Sequence, residues 1–173
     1  MVDMSRPKLN LTPEEQRLWE DVQILRITDT SRDGRFIGFF WNKAVTAYRN
    51  LDFVSSIVLA GITAELAHRT KLCKQNVEMC WKNRRPKLWG DLIKYNEKDK
   101  QIQKIAKEIK DPHRNTWIHP DVEKIEKYLR SEGLVITTDV GLNIGFASAN
   151  ALKVLGLTAQ LLKMLRYIEN APV

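Results

Sequence analysis

The stretch from Phe53 to Lys74 is apolar almost all round. A helix with no polar face must be surrounded by other elements, so this one is expected at the centre of a helical bundle. Asp52 is placed to cap its start. Glu65 falls in its middle, where a carboxylate needs a basic partner or a function. Structural pairing with a basic residue is the expectation. His68 lies on the same helix and reads as a packed or bridging histidine. The longest apolar run, Phe53 to Ala67, is too short to span a bilayer and contains Glu65.

The flanking segments supply the rest of a bundle. Thr12-Pro13-Glu14-Glu15 is a helix start, with Thr12 as N-cap, Pro13 in the first turn and Glu15 completing a capping box. Leu18, Val22 and Leu25 then share one face. Residues 29–34 read as a loop. A second helix is expected from Phe36 to Arg49, with Phe36, Phe40, Ala44 and Ala47 facing inward. Leu88 to Tyr95 makes a short helical turn. Asp99 to Ile109 carries the stripe Ile102, Ile105, Ala106 and Ile109. Asp111-Pro112 then restarts the chain, because Asp is a good N-cap and Pro is allowed in a first turn. Further helices are expected from Asp121 to Arg130 and from Ala147 to Ile168, the last with Ala151, Leu155, Thr158, Leu162 and Leu165 inward. Between them, Leu134 to Thr138 is a β-favouring patch that forms a small hairpin or a plain loop. The fold class is therefore all-α: an antiparallel up-and-down bundle of four to five main helices, with a short irregular or hairpin insertion near 131–145. Residues 1–11 read as a flexible arm and 12–173 as a single domain.

The chain has 173 residues and a formal charge of +7, with a pI near 9.5. An excess of that size attracts polyanions, nucleic acid first among them, although it also serves solubility. The positive charge concentrates between Arg69 and Lys87, where seven basic residues face the single acid Glu78. Trp81 and Trp89 are interleaved there. Basic residues beside aromatics suit a phosphate backbone with stacked bases, and tryptophans that anchor a loop to the core give the same pattern. Lys82, Arg84, Arg85 and Lys87 are the candidate RNA-binding residues. Cys73 and Cys80 have no second cysteine pair or histidine cluster to complete a zinc site, and read as reduced, partly buried thiols. The N-terminus has no apolar signal core. A cytoplasmic protein is the expectation.

Arg114-Asn115-Thr116-Trp117-Ile118-His119 carries the candidate chemistry. A guanidinium holds phosphate through paired N–H donors, and an imidazole exchanges protons near neutral pH. Phosphodiester cleavage needs both. Positions five apart on a straight helix diverge by about 140°. Aiming both side chains at one phosphate therefore takes a bend at Pro120 or a second protomer. His113 directly precedes the motif as a possible extra phosphate contact, and Trp117 reads as a packing residue.

These segments together resemble the HEPN superfamily (higher eukaryotes and prokaryotes nucleotide-binding domain), in particular its prokaryotic phage-defence, abortive-infection and toxin-type ribonucleases. The resemblance rests on Val58 to Arg69, on Leu88-Trp89-Gly90-Asp91-Leu92-Ile93 and on Arg114-Asn115 followed by His119, and covers roughly residues 35–170. It implies a homodimer with a composite active site and a metal-independent cleavage of RNA. The 2′-hydroxyl would attack its own phosphate to leave a 2′,3′-cyclic phosphate and a 5′-hydroxyl. His119 would act as general base or acid, Arg114 would stabilise the phosphate oxygens, and Asn115 would orient His119 or the phosphate. No cofactor and no metal are implied. Expected partners are RNA, a second copy of the chain, and an inhibitory antitoxin or an activator protein, with no membrane. One position departs from the family: toxins paired with a nucleotidyltransferase commonly carry Tyr two residues after the His, where this chain has Asp121. A non-catalytic RNA- or nucleotide-binding module, or a protein-interaction module, is the competing reading.

Overall fold

The computed structural model describes residues 11–82, 85–115 and 144–168, and within them it is an all-α bundle. Helix α1, Pro13–Ile24, opens with the expected capping box: the Thr12 hydroxyl accepts from the Glu15 N–H, and the Glu15 carboxylate accepts from the Thr12 N–H at 2.7 Å. Helix α2 is Arg32–Arg49. It starts earlier than the expected Phe36, because the Ser31 hydroxyl accepts from Gly34 N and caps it there. Helix α3, Phe53–Gln75, is capped by Asp52.

Helix α3 is central and packs most extensively against α2 and against α6, Ile144–Met164. Ala60, Ala64 and Ala67 are fully buried along it. Two polar groups it brings inside are satisfied: Ser56 Oγ donates across to Ala44 O on α2 at 3.0 Å, and Thr63 Oγ1 donates to Leu59 O one turn back at 2.8 Å. Glu65 pairs with Arg69 at 2.9 Å, one turn away, as expected. The stripe Ala151, Leu155, Thr158 and Leu162 on α6, with Leu165 just beyond its end, is buried.

The inward face of α2 differs from expectation. Ile37, Trp41, Ala44, Val45 and Tyr48 are buried, whereas Phe36 is half exposed. The stripe 37/41/44/48 has the same helical spacing as 36/40/44/47 but is rotated from it by about a fifth of a turn. It buries the larger Trp41 and Tyr48 and gives both polar tips partners: Trp41 Nε1 donates to Leu25 O, and the Tyr48 hydroxyl bonds Ser148 Oγ at 3.0 Å.

Beyond α3 the chain reverses through a 3₁₀ turn, Val77–Cys80. The reversal brings the Cys73 and Cys80 Cα atoms to 5.8 Å, and the two are joined as a disulfide rather than standing as free thiols. Strands β1, Trp81–Lys82, and β2, Arg85–Pro86, form a two-residue antiparallel ladder. Helix α4, Trp89–Asp91, widens into a π turn at Leu92–Asn96. Helix α5, Lys100–Glu108, is capped by Asp99 and buries Ile102, Ile105 and Ala106.

Helix α5 does not stop and restart at Asp111-Pro112. It continues as a π-helical segment, Ile109–Arg114, straight through Pro112. A proline removes one backbone donor and crowds the carbonyl four residues back. Widening to the π spacing accommodates both. The expected helix at 121–130 and the patch at 134–138 lie outside the described residues. No described helix is long and apolar enough to cross a membrane.

Candidate nucleic-acid site

The π segment ends where the Arg/His motif begins. The Asn115 N–H donates to Lys110 O, which closes the widened turn and sets Arg114 and Asn115 at the end of the element. Asn115 is half-buried, and its Nδ2 lies 3.4 Å from Asp111 Oδ1. The Lys110 ammonium is paired with the same carboxylate oxygen. Gly90 makes room for Lys110, since a Cβ there would meet Lys110 Cε at 3.0 Å. Asp111 is thus an orienting residue that the sequence pattern marks only as a cap. Its spacing of four from Asn115 was the available signal. The Arg114 side chain, together with Thr116, Trp117 and His119, lies outside the described residues.

His113 is 1% exposed and is a core residue, which goes against the alternative of an extra phosphate contact there. Burial, and next the Lys153 ammonium, lower its pKa to about 4, against the opposing pull of Glu108. It is neutral at physiological pH and has no role there as a proton donor.

The basic segment is more tightly held than its composition implies. Arg69 donates to Lys87 O and to Glu65 Oε1, both at 2.9 Å. Lys74 faces Asp29 at 3.6 Å. Lys87 is half-buried, with its ammonium donating to Asn96 Oδ1 at 3.3 Å and its backbone N–H to Cys80 O. Lys82 and Arg85 are cross-strand partners in the small ladder. Their side chains, that of Trp81, and the whole of Arg84 lie outside the described residues.

Trp89 is an anchor rather than an exposed stacking surface. It is buried, and its Nε1–H donates to His68 Nδ1 at 3.0 Å. An indole nitrogen can only donate, so His68 Nδ1 is the acceptor and Nε2 carries the proton. That proton points at Glu97 Oε2, 2.7 Å away. Burial lowers the His68 pKa, against the pull of Glu97. His68 is thus a bridging histidine, as expected. Among the described residues no three His, Cys, Asp or Glu side chains converge so as to hold a metal ion.

No family model, no curated protein and no solved structure matches this chain.

Proposed function

We propose that this chain is a HEPN-like, metal-independent endoribonuclease acting in phage defence or as a toxin in the cytoplasm. The observation that carries the reading is the π-helical passage through Pro112, which ends on Arg114 and Asn115. Such widened turns recur at functional sites. Here the passage sits where the sequence carries its phosphate-binding and proton-transfer residues.

In the proposed reaction the 2′-oxygen of a ribose attacks the adjacent phosphorus and gives its proton to His119. The bond from phosphorus to the 5′-oxygen breaks as the new one forms, and the leaving oxygen takes a proton from solvent. The protonated His119 then returns its proton to solvent. Arg114 stabilises the charge on the non-bridging oxygens. Asn115, steadied by Asp111, orients the phosphate or His119. A homodimer, with two motifs facing across one cleft, brings Arg114 and His119 of different protomers together. An antitoxin or activator protein governs the activity.

The test is incubation of wild type and His119→Ala with end-labelled RNA in EDTA. Cleavage by wild type alone, leaving cyclic phosphate ends, is the expected result. A folded wild-type dimer that binds RNA without cutting it would replace the reading by a binding module.

A further inference from the structure

The outward face of α2 combines exposed positive charge with exposed aromatic surface. At 100° per residue, Arg32, Arg35, Phe36, Phe39, Lys43 and Arg49 fall within an arc of about 140°, opposite the buried stripe. The basic residues among them are exposed, and Phe36 and Phe39 are 50% and 54% exposed. Isolated exposed apolar residues are ordinary. Two phenylalanines one turn apart, flanked by cations, form a patterned surface. The Phe39 ring is set by an edge contact with Phe40, at 5.4 Å and 79°, and lies 5.6 Å from the Lys43 ammonium.

The face continues into a groove of about 280 Å³ between the end of α1 and the C-terminal half of α2. Trp41 and Val45 are the apolar part of its lining, Asn42, Thr46 and Gln23 supply uncharged polar groups, and Arg26 and Arg49 supply two guanidinium groups. Among the described residues no acidic side chain lines it. Arg26 is pre-oriented: its Nη1 donates to Gln23 O and Leu25 O, both at 3.0 Å, capping the carbonyl end of α1. Its Nε and Nη2 have no partner among the described residues. Neither arginine forms an ion pair among the described residues.

We propose that this face of α2, continued by Arg26, is a binding surface for single-stranded RNA. Phe36 and Phe39 stack on unpaired bases, and Arg26 and Arg49 hold backbone phosphate in the groove. Charge complementarity selects the ligand: α2 carries Arg32, Arg35, Lys43 and Arg49 against Asp33 as its one acid, and Arg26 adds a further positive charge. A second copy docked on the same face would set like charges against each other. A duplex would leave the phenylalanines without open bases to stack on. The proposal rests on reading the chain as an RNA-acting protein. It assigns a grip on substrate to residues other than Arg114 and those of the 82–87 segment.

The test measures the affinity of a fluorescent twelve-nucleotide oligouridylate for full-length protein carrying His119→Ala, so that the probe survives. Added to that background are Phe36→Ser with Phe39→Ser, Arg26→Gln with Arg49→Gln, and Arg49→Gln alone in case removal of the Arg26 cap perturbs α1. Circular dichroism confirms folding. Each pair is expected to weaken binding about tenfold or more. The arginine pair also makes the salt dependence shallower, by about 0.7 in log–log slope for each phosphate that is no longer neutralised. Unchanged affinity in the folded variants overturns the proposal. So does polyglutamate competing as well as RNA, or a variant that changes only the oligomeric state. The cleavage assay without His119→Ala separates the two readings. RNA left intact by wild type but bound through α2 removes the ribonuclease and keeps this surface. RNA cleaved by wild type but bound equally by the α2 variants does the reverse.

Discussion

Trp89 donates its indole N–H to Nδ1 of His68 at 3.0 Å, in the buried space between α3 and α4. Because the other ring nitrogen donates to Glu97 Oε2, His68 ties the Leu88-Trp89 segment and the loop before α5 to the central helix. Trp89→Phe keeps the ring volume nearest to native but strips the donor, leaving a buried acceptor unsatisfied. The expected cost is about 1–3 kcal/mol of unfolding free energy. It would be measured by urea denaturation followed by far-UV circular dichroism. Wild-type stability in this variant would show that the bond contributes nothing.

The same histidine and His113 set the response to acid. Both have pKa values below the ordinary 6.5: burial is the first cause in each, and His113 is brought to about 4. Between pH 6.5 and 4 the unfolded chain therefore binds more protons than the folded one. Stability is full above 6.5 and falls as pH drops through that window. His113 alone contributes a loss on the order of 3 kcal/mol by pH 4. His113→Leu, of similar volume, is expected to flatten that part of the profile. Chemical denaturation at intervals from pH 7.5 to 4 reads both slopes, and a wild-type profile flat across the window would contradict the neutral buried state.

The bundle was legible in the sequence wherever one reading of a periodic pattern existed. The all-round apolar α3 left no alternative to a central position, and the Thr12 and Asp52 caps fixed two helix starts. Helix α2 was different, because it carries two apolar stripes one residue apart. Helical spacing alone does not say whether Phe36/Phe40 or Ile37/Trp41 faces the core; partners for Trp41 Nε1 and the Tyr48 hydroxyl decide it. Of the stripe left over, Phe36 belongs to the face proposed to meet RNA. At the candidate site, Arg114 and Asn115 stood out as residue types. The π passage through Pro112 did not, since it follows from how the helix packs and not from any local propensity. The pairing of Lys74 with Asp29 was likewise invisible, because it joins residues distant in sequence.

Two glycines separate a forbidden Cβ from a tolerated one. At Gly34 a Cβ would lie 2.1 Å from the backbone oxygen of Asp29, which cannot yield without moving the loop that the Ser31 N–H holds through Asp29 Oδ1. At Gly156 its nearest contacts would be the Leu18 methyls, at 3.1 and 3.2 Å, the far end of a flexible side chain. Gly34→Ala is expected to cost about 2 kcal/mol or more. Gly156→Ala is expected to fall within about 1 kcal/mol of wild type, because the helix propensity gained offsets the crowding. Thermal melts of the two variants side by side test the ranking, and equal losses would count against the close approach at Asp29.

The Cys73–Cys80 disulfide closes a short loop between the end of α3 and the start of the basic segment. In the chain-entropy account, a loop of that length gains roughly 2.5 kcal/mol by constraining the unfolded state. Its local effect reaches further, because Cys80 O accepts from the Lys87 N–H while Lys87 O accepts from Arg69. Cutting the crosslink frees one end of that chain of contacts. Cys73→Ser with Cys80→Ser is therefore expected to lower the denaturation midpoint, and to speed amide exchange at Lys87 more than at Ile102 on α5. A thiol titration of the denatured wild-type protein, purified without reductant, should find no free thiol. Two titratable thiols per chain, with exchange at Lys87 identical in wild type and variant, would show that the bridge does not anchor this segment.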